Sequence, residues 1–139
     1  MDNLNPITIE AIVQVDLDKA WHFWTTPEHI INWNFAVDSW HCPKAENDLK
    51  VGGIFTFTMA AKDGSFSFDF SGQYEEIIPG KKLFFRLGDD RTVEVNFSVD
   101  QQGTRITETF DPESQNPIEM QRAGWQAILD NFKRYVEEI

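Results

Sequence analysis

Phenylalanine and polar residues alternate strictly in the middle of the chain, where Phe66, Phe68 and Phe70 are separated by Ser67 and Asp69. Because successive side chains of a β-strand point to opposite faces of the sheet, a period of two predicts a strand with one apolar and one solvated face. The same alternation recurs in a first strand at 7–15 and in segments at 54–60, 82–87, 91–100 and 104–110. Short turn-like stretches join the later segments, so the pattern predicts an antiparallel meander.

A helical period replaces the alternation in two short segments after the first strand. Asp16 is placed to cap the first helix. Thr26 can cap the second, which is predicted to end near Trp33. Residues 34–53 show the least periodicity, and we expect one short strand there, near 37–41.

The last segment carries the longest helical pattern. Asn116 and Glu119 resemble a capping box, in which two residues satisfy each other's free backbone N–H groups at the start of a helix. Apolar residues then recur every three or four positions, at Trp125, Ile128, Leu129, Phe132, Val136 and Ile139. The elements together predict an α+β fold. In it, a curved antiparallel sheet of six or seven strands wraps around a long C-terminal helix, with two short helices after the first strand.

The more apolar face of the predicted sheet carries many large side chains. They are Phe55, Phe57, Met59, Phe66, Phe68, Phe70, Leu83, Phe85, Leu87, Val93, Val95, Phe97, Ile106 and Phe110. A sheet of this width twists and curls, so one helix cannot fill its concave side. We therefore expect the last helix to cover the row of alternating phenylalanines and to leave a cavity, lined by Phe57, Phe68, Phe85, Phe97 and Trp125.

Glu108 is the least expected residue on this face, because it shares the strand parity of Ile106 and Phe110. Desolvation would raise the pKa of its carboxyl, and a carboxyl in an apolar cleft can serve as general acid, general base or ligand anchor. The alternative is a position at the strand end, where the carboxyl reaches water or an arginine. No catalytic set is identified, and Glu108 is a weak candidate for a general acid or base.

The charge of the chain excludes one class of partner. Its 139 residues contain 12 Lys and Arg against 23 Asp and Glu, a formal net charge of −11, which repels nucleic acid and anionic membrane surfaces. No segment approaches the length of about 18 apolar residues that a membrane span requires. We expect one domain over 1–139, a cytoplasmic location, no membrane insertion and no cofactor.

The remaining candidate groups give weaker indications of a functional site. Cys42 is the single cysteine, so it excludes an internal disulfide, and it is only a weak candidate nucleophile. His22, His29 and His41 are spread over separate elements, and no metal site is expected. Gly124 lies inside the last helix, where either a bulky ring packs against it or a ligand approaches the backbone.

A set of short motifs resembles one superfamily when taken in order. The motifs are Thr26-Pro27-Glu28 with Trp33, the pair Gly52-Gly53, Gly72 with Pro79, and Gly124-Trp125. The chain resembles the START-like (SRPBCC) superfamily, and within it the bacterial proteins homologous to the activator of the 90-kDa heat-shock chaperone ATPase. The resemblance implies a helix-grip fold with an apolar cavity between the sheet and the last helix. Members bind lipids, plant hormones and polyketides, and some cyclise them, but no catalytic set carries over to this chain.

Three functions remain open at this point. The leading hypothesis is a binding module, favoured over an enzyme, that holds a small, mainly apolar molecule, either lipid-like or aromatic. An enzyme of the polyketide cyclase type, with Glu108 as acid or base, and a chaperone-associated interaction protein are the alternatives. The expected ligand-binding residues are Trp33, Trp40, Phe55, Phe57, Phe66, Phe68, Phe70, Phe85, Phe97, Glu108, Trp125 and Leu129.

Overall fold

The computed structural model describes residues 5–139 of the chain. In chain order the elements are β1 (Ile7–Val13), α1 (Leu17–Thr25), α2 (Pro27–Ile30), β2 (Trp40–Asn47), β3 (Ile54–Ala61), β4 (Ser67–Ile78), β5 (Lys82–Leu87), β6 (Thr92–Asp100), β7 (Gly103–Phe110) and α3 (Ile118–Glu138). None of the helices within these residues has the length and apolar character needed to cross a membrane.

The seven strands form one antiparallel sheet in the order β1-β7-β6-β5-β4-β3-β2. From β2 to β7 each strand pairs with the next one along the chain, and β1 joins the sheet beside β7. The predicted α+β helix-grip fold, with its antiparallel meander, its two short helices after the first strand and its long C-terminal helix, is confirmed.

The core lies between the concave face of the sheet and α3, as the alternation predicts. Val93, Val95 and Phe97 of β6 are buried, and they lie opposite Phe110, Glu108 and Ile106 of β7. The apolar side of α3 closes the core with Leu129, Phe132 and Val136, all fully buried. This register puts Glu108 inside the molecule, next to Val95.

Strand β2 differs from its predicted position. The strand runs over Trp40–Asn47 rather than near 37–41, and its pairing with β3 shifts register between His41 and Lys44. Pro43 lies in that interval and has no backbone N–H to donate, which is tolerated because β2 is an edge strand. Because proline is disfavoured inside strands, the sequence pattern did not predict a strand over these residues.

The ends of the helices agree only in part with those predicted from the sequence. The Asp16 carboxylate accepts a hydrogen bond from the Lys19 backbone N–H, so the predicted cap of α1 is confirmed. The second helix ends at Ile30 instead of near Trp33. The predicted capping box of α3 is wrong, because the helix begins after Pro117 with no side-chain cap, and the Gln121 amide donates to the Asn116 carbonyl instead.

Helix α3 covers only part of the concave face, because its closest packing is on β1, at one edge of the sheet. The far strands β3 and β4 therefore extend beyond it. Phe70 meets Trp125 of α3, but Phe68 is 43% exposed and Phe66 is 59% exposed. The expectation that α3 covers all three phenylalanines is wrong for Phe66, which precedes β4 and contacts Trp40 at the open end of the sheet.

Candidate functional site

A cavity of about 260 Å³ lies between the sheet, α3, the end of α1 and the segment that follows α2. Its inner end is formed by fully buried side chains such as Phe55 and Leu83, and Phe68 is partly exposed at its outer end. The cavity therefore runs from the core to the surface. Nine of the fifteen residues that line it are aromatic, so its wall is mainly apolar.

Phe55 is the centre of the aromatic wall. Its ring centroid lies 4.8 Å from those of Phe57 and Phe85, and 5.5 Å from that of Tyr74. Gly72 on the paired strand β4 makes room for this ring, because a Cβ at Gly72 would lie 2.6 Å from Cε2 of Phe55. The glycine that appears among the sequence motifs thus allows a large ring to lie flat against the sheet.

Two polar side chains of the lining, Tyr74 and Trp33, already have hydrogen-bond partners within the protein. The Tyr74 hydroxyl donates to Oδ1 of Asn47 at 2.7 Å, and Nδ2 of Asn47 donates to the Thr25 carbonyl at 2.7 Å. Burial raises the pKa of the Tyr74 hydroxyl well above its ordinary value, so the hydroxyl keeps its proton. The Trp33 indole N–H donates to the Phe23 carbonyl at 3.1 Å. These groups hold the wall in place.

Glu108 lies in the wall of the cavity. It is a central residue of β7, paired with Ile9 on one side and Val95 on the other, and it is only 9% exposed. Within residues 5–139 its carboxyl forms no hydrogen bond or ion pair, and its oxygens retain accessible surface. Desolvation by burial raises the pKa of this carboxyl from 4.5 to about 8, so Glu108 is mostly protonated at neutral pH.

Two further polar residues line the cavity. Asn34 is 7% exposed, and its side-chain amide forms no hydrogen bond within the described part of the chain. Arg91 contributes the one cationic side chain of the lining, and its guanidinium Nε donates to the Asp89 carboxylate at 2.7 Å. The charge of Arg91 is therefore already balanced by Asp89.

Eight of the twelve residues expected to bind a ligand do line the cavity. They are Trp33, Phe55, Phe57, Phe68, Phe70, Phe85, Glu108 and Trp125. Their contact with a ligand stays a prediction.

The other four expected residues lie outside the cavity. Phe97 packs against Trp21 and Trp24 in the core, and Leu129 is fully buried on the apolar side of α3. Trp40 and Phe66 contact each other at the open end of the sheet, beyond the reach of α3. Apolar character alone did not distinguish a cavity wall from a filled core or an uncovered strand end.

The remaining lining residues were not among those expected to bind. They are Trp24, Asn34, Met59, Tyr74, Leu83, Arg91 and Ile128. Parity could have found Tyr74, which lies an even number of residues after Phe70, and the helical stripe could have found Ile128. Asn34 lies in the aperiodic segment, where no pattern in the sequence pointed to it.

The other candidate groups lie away from the cavity. Cys42 is buried, its thiol donates to the Lys44 carbonyl, and burial raises its pKa to about 11, which disfavours the nucleophilic thiolate. His22 and His29 come together, with ring centroids 5.4 Å apart, although they lie on separate helices. Among residues 5–139 no three His, Cys, Asp or Glu side chains are grouped so that they could hold a metal ion.

Gly124 has no protein group packed against it. A Cβ at this position would meet no atom within 4 Å, so no ring packs against it. The expectation of a packed ring at Gly124 is therefore wrong.

Residues 14–137 match the sequence model of the family described as Activator of Hsp90 ATPase homolog 1-like protein. The chain is 44% identical to the AHSA1-like protein from Aeromonas hydrophila, whose solution NMR structure gives a TM-score of 0.91 over 96% of this chain and 92% of that chain. A solution structure from Cytophaga hutchinsonii shows 45% identity and a TM-score of 0.80, over 99% of this chain and 94% of that one. A crystal structure from Chromobacterium violaceum, 21% identical with a TM-score of 0.85 over 96% and 98% of the two chains, shares the fold. No curated protein matches the chain.

Proposed function

Since the chain belongs to the family of Activator of Hsp90 ATPase homolog 1-like proteins, within the START-like (SRPBCC) superfamily, we propose that it is a binding module for a small, mainly apolar molecule. The observation that carries this proposal is the cavity of about 260 Å³ with nine aromatic residues in its wall. Ligand sites are typically concave and apolar, with a few placed polar groups. Here those groups are Glu108, Asn34 and Arg91.

The size of the cavity favours a compact ligand. Sites for drug-sized ligands usually measure about 300–1,000 Å³, and this one lies just below that range at about 260 Å³. A molecule of two or three rings fits such a volume better than a long lipid chain does. Burial of its apolar surface would contribute about 25 cal/mol per Å².

Glu108 also keeps the second candidate function open. A carboxyl with a pKa of about 8 in an apolar cleft can transfer a proton near neutral pH, which an enzyme of the polyketide cyclase type would need. Cys42, the candidate nucleophile, lies outside the cavity. Binding without turnover is therefore the better supported function. The enzyme predicts turnover that Glu108→Gln abolishes.

The family description also names a chaperone activator, which was the third candidate. Such a role predicts binding to the chaperone through an outer surface, and that binding would not respond to changes inside the cavity. The binding module predicts that changes inside the cavity weaken the binding of the small molecule. Variants that fill the cavity therefore distinguish the two functions.

The proposal can be tested with N-phenyl-1-naphthylamine, a neutral dye whose emission rises in apolar surroundings. We expect saturable binding at one site, and loss of affinity of about tenfold or more, equal to about 1.4 kcal/mol, when Ile128→Trp or Met59→Trp fills the cavity. Ile54→Trp is the matched control, because Ile54 is exposed and lies outside the cavity.

The outcome against the proposal is equally clear. If circular dichroism shows that both filling variants are folded and the dye still binds them as it binds the wild type, the cavity is not the binding site. Absence of saturable binding to the wild type would also overturn the proposal.

A further inference from the structure

The carboxyl of Glu108 is an uncompensated acid in the cavity. It is 9% exposed and has no hydrogen-bond partner among residues 5–139. The lining contains one other ionisable charge that could balance it, Arg91, and that guanidinium is held by Asp89 at 2.7 Å. A buried acid of this kind is costly to ionise, and a bound cation would offset part of that cost.

The side chains next to Glu108 on the surrounding elements are uncharged. Its cross-strand neighbours are Ile9 on β1 and Val95 on β6, and α3 contributes Trp125 and Ile128 to the same cavity. All four side chains are uncharged. None of these neighbours would pair with an ionised Glu108, which leaves that place open to a cationic ligand.

The rest of the wall suits a cation as well. The faces of aromatic rings carry partial negative charge, so a cation over a ring face is attracted to it. Phe55, Phe85 and Trp125 present such rings around the cavity. The net charge of −11 also draws cations toward the protein and repels anions. A carboxylate ligand would oppose the ionisation of Glu108, whereas a cationic ligand favours it.

We propose that the ligand of this cavity is an apolar or aromatic amine, whose protonated ammonium group pairs with the Glu108 carboxylate while its rings lie against the aromatic wall. This inference rests on the proposed binding function and adds the chemical class of the ligand. The amide of Asn34 offers the ammonium group a second polar contact within the same cavity.

The pairing has a consequence for protons. In the free protein Glu108 is mostly protonated at neutral pH, because its pKa lies at about 8. An ammonium ligand binds the ionised carboxylate, so binding at neutral pH releases about one proton to the solvent. The affinity for the amine should then increase by up to about tenfold per pH unit as the pH rises toward 8.

The test compares two probes of the same shape, 2-(1-naphthyl)ethylamine and 2-(1-naphthyl)ethanol, by isothermal titration calorimetry. We expect the amine to bind the wild type about tenfold or more tightly than the alcohol near pH 8. Titrations in buffers of different ionisation enthalpy should show proton release for the amine alone. Glu108→Gln keeps the size of the side chain and removes its charge, and it should abolish both the preference and the proton release.

The outcomes separate this inference from the proposed function. If the amine and the alcohol bind equally, or if Glu108→Gln leaves the preference for the amine intact, the amine assignment is overturned and the binding module stands. If neither probe binds and N-phenyl-1-naphthylamine does not bind either, the binding function itself fails. Loss of alcohol binding in Glu108→Gln would point to a neutral ligand and would also overturn the amine assignment.

Discussion

Trp125 of α3 lies flat against Phe110 of β7, with 3.9 Å between the ring centroids and 8° between the ring planes. The edge of a third ring, Phe70 of β4, meets Trp125 at 6.0 Å. Glu108 lies two residues before Phe110 on the same inward face of β7. The stack therefore fixes the indole of the last helix as a wall of the cavity that holds the buried carboxyl.

Removal of this indole should cost both stability and affinity. Truncation of a large aromatic side chain in a packed site costs about 3–5 kcal/mol, and Trp125→Ala should fall near the lower end because Trp125 is only partly buried. Trp125→Phe should recover part of the loss, since a smaller ring can still stack on Phe110. Met120→Ala, at an exposed position on the same helix, is the control. Urea unfolding measures all three, and equal stability of Trp125→Ala and the control would contradict the stacking account.

Glu108 should make the stability of the fold depend on pH. Because the folded pKa of about 8 lies above the ordinary 4.5, the Glu108 contribution is fully present below pH 4.5 and declines as the pH rises to about 8. The free energy of unfolding should decline by about 1.4 kcal/mol per pH unit at most. Solvent that enters the cavity would reduce this slope. Glu108→Gln should flatten this slope and be more stable than the wild type at pH 8 and above. A wild-type curve without this decline, or a slope that persists in Glu108→Gln, would show that the carboxyl is solvated or paired.

Two glycine-to-alanine changes should have opposite effects. Gly72→Ala would place a Cβ 2.6 Å from the Phe55 ring, which is packed among other rings, so we expect a loss of about 1–3 kcal/mol. Gly124→Ala would meet no atom within 4 Å and removes a poor helix former, so we expect a gain of up to about 1 kcal/mol. Thermal or urea unfolding measures both. Destabilisation by Gly124→Ala would mean that a group approaches the helix at that point.

His29 should titrate below an ordinary histidine. Burial is the main cause of its lowered pKa, and the positive charge that His22 can carry lowers it further, while Glu28 opposes them. Its Nδ1 is hydrogen-bonded to the Tyr135 hydroxyl at 2.8 Å, which ties α2 to α3. A base with a lowered folded pKa favours the folded state above its ordinary value of 6.5, and this contribution is lost as the pH falls through the folded pKa.

NMR titration of the histidine rings checks this expectation. His22→Gln removes the neighbouring charge and should raise the pKa of His29 toward its ordinary value without reaching it, because burial remains. A pKa of His29 at or above 6.5 in the wild type would contradict the prediction.

Strict alternation in the sequence predicted the core of the sheet and the inward position of Glu108. Val93, Val95 and Phe97 alternate with polar residues, and all three are buried, since a period of two leaves little freedom in how a strand presents its faces. The same parity carried Glu108 inward, and the structure places its carboxyl in the cavity wall. The local pattern was sufficient to predict which side chains face inward in strands that are central in the sheet and covered by other elements.

The extent of the cavity could not be predicted in the same way. Phe66 and Phe85 have the same apolar character in the sequence, but Phe85 is buried in the cavity wall and Phe66 is exposed at the open end of the sheet. That difference depends on where α3 crosses the sheet, which is set by its packing on β1, far away in the sequence. Asn34 lines the cavity but lies in a segment without periodicity, so no pattern pointed to it. Pro43 lies within the edge strand β2, and a proline is not expected inside a strand.

The central claim is that a small apolar molecule binds inside this cavity, and the tryptophan indole N–H groups report on it directly. Trp24, Trp33 and Trp125 line the cavity, whereas Trp21 packs outside it against Phe97. In a ¹H–¹⁵N spectrum recorded during titration with N-phenyl-1-naphthylamine, the indole signals of the three lining residues should shift together and saturate with one Kd, while that of Trp21 stays in place. An unchanged spectrum, or shifts at Trp21 without shifts at the three lining residues, would contradict the account.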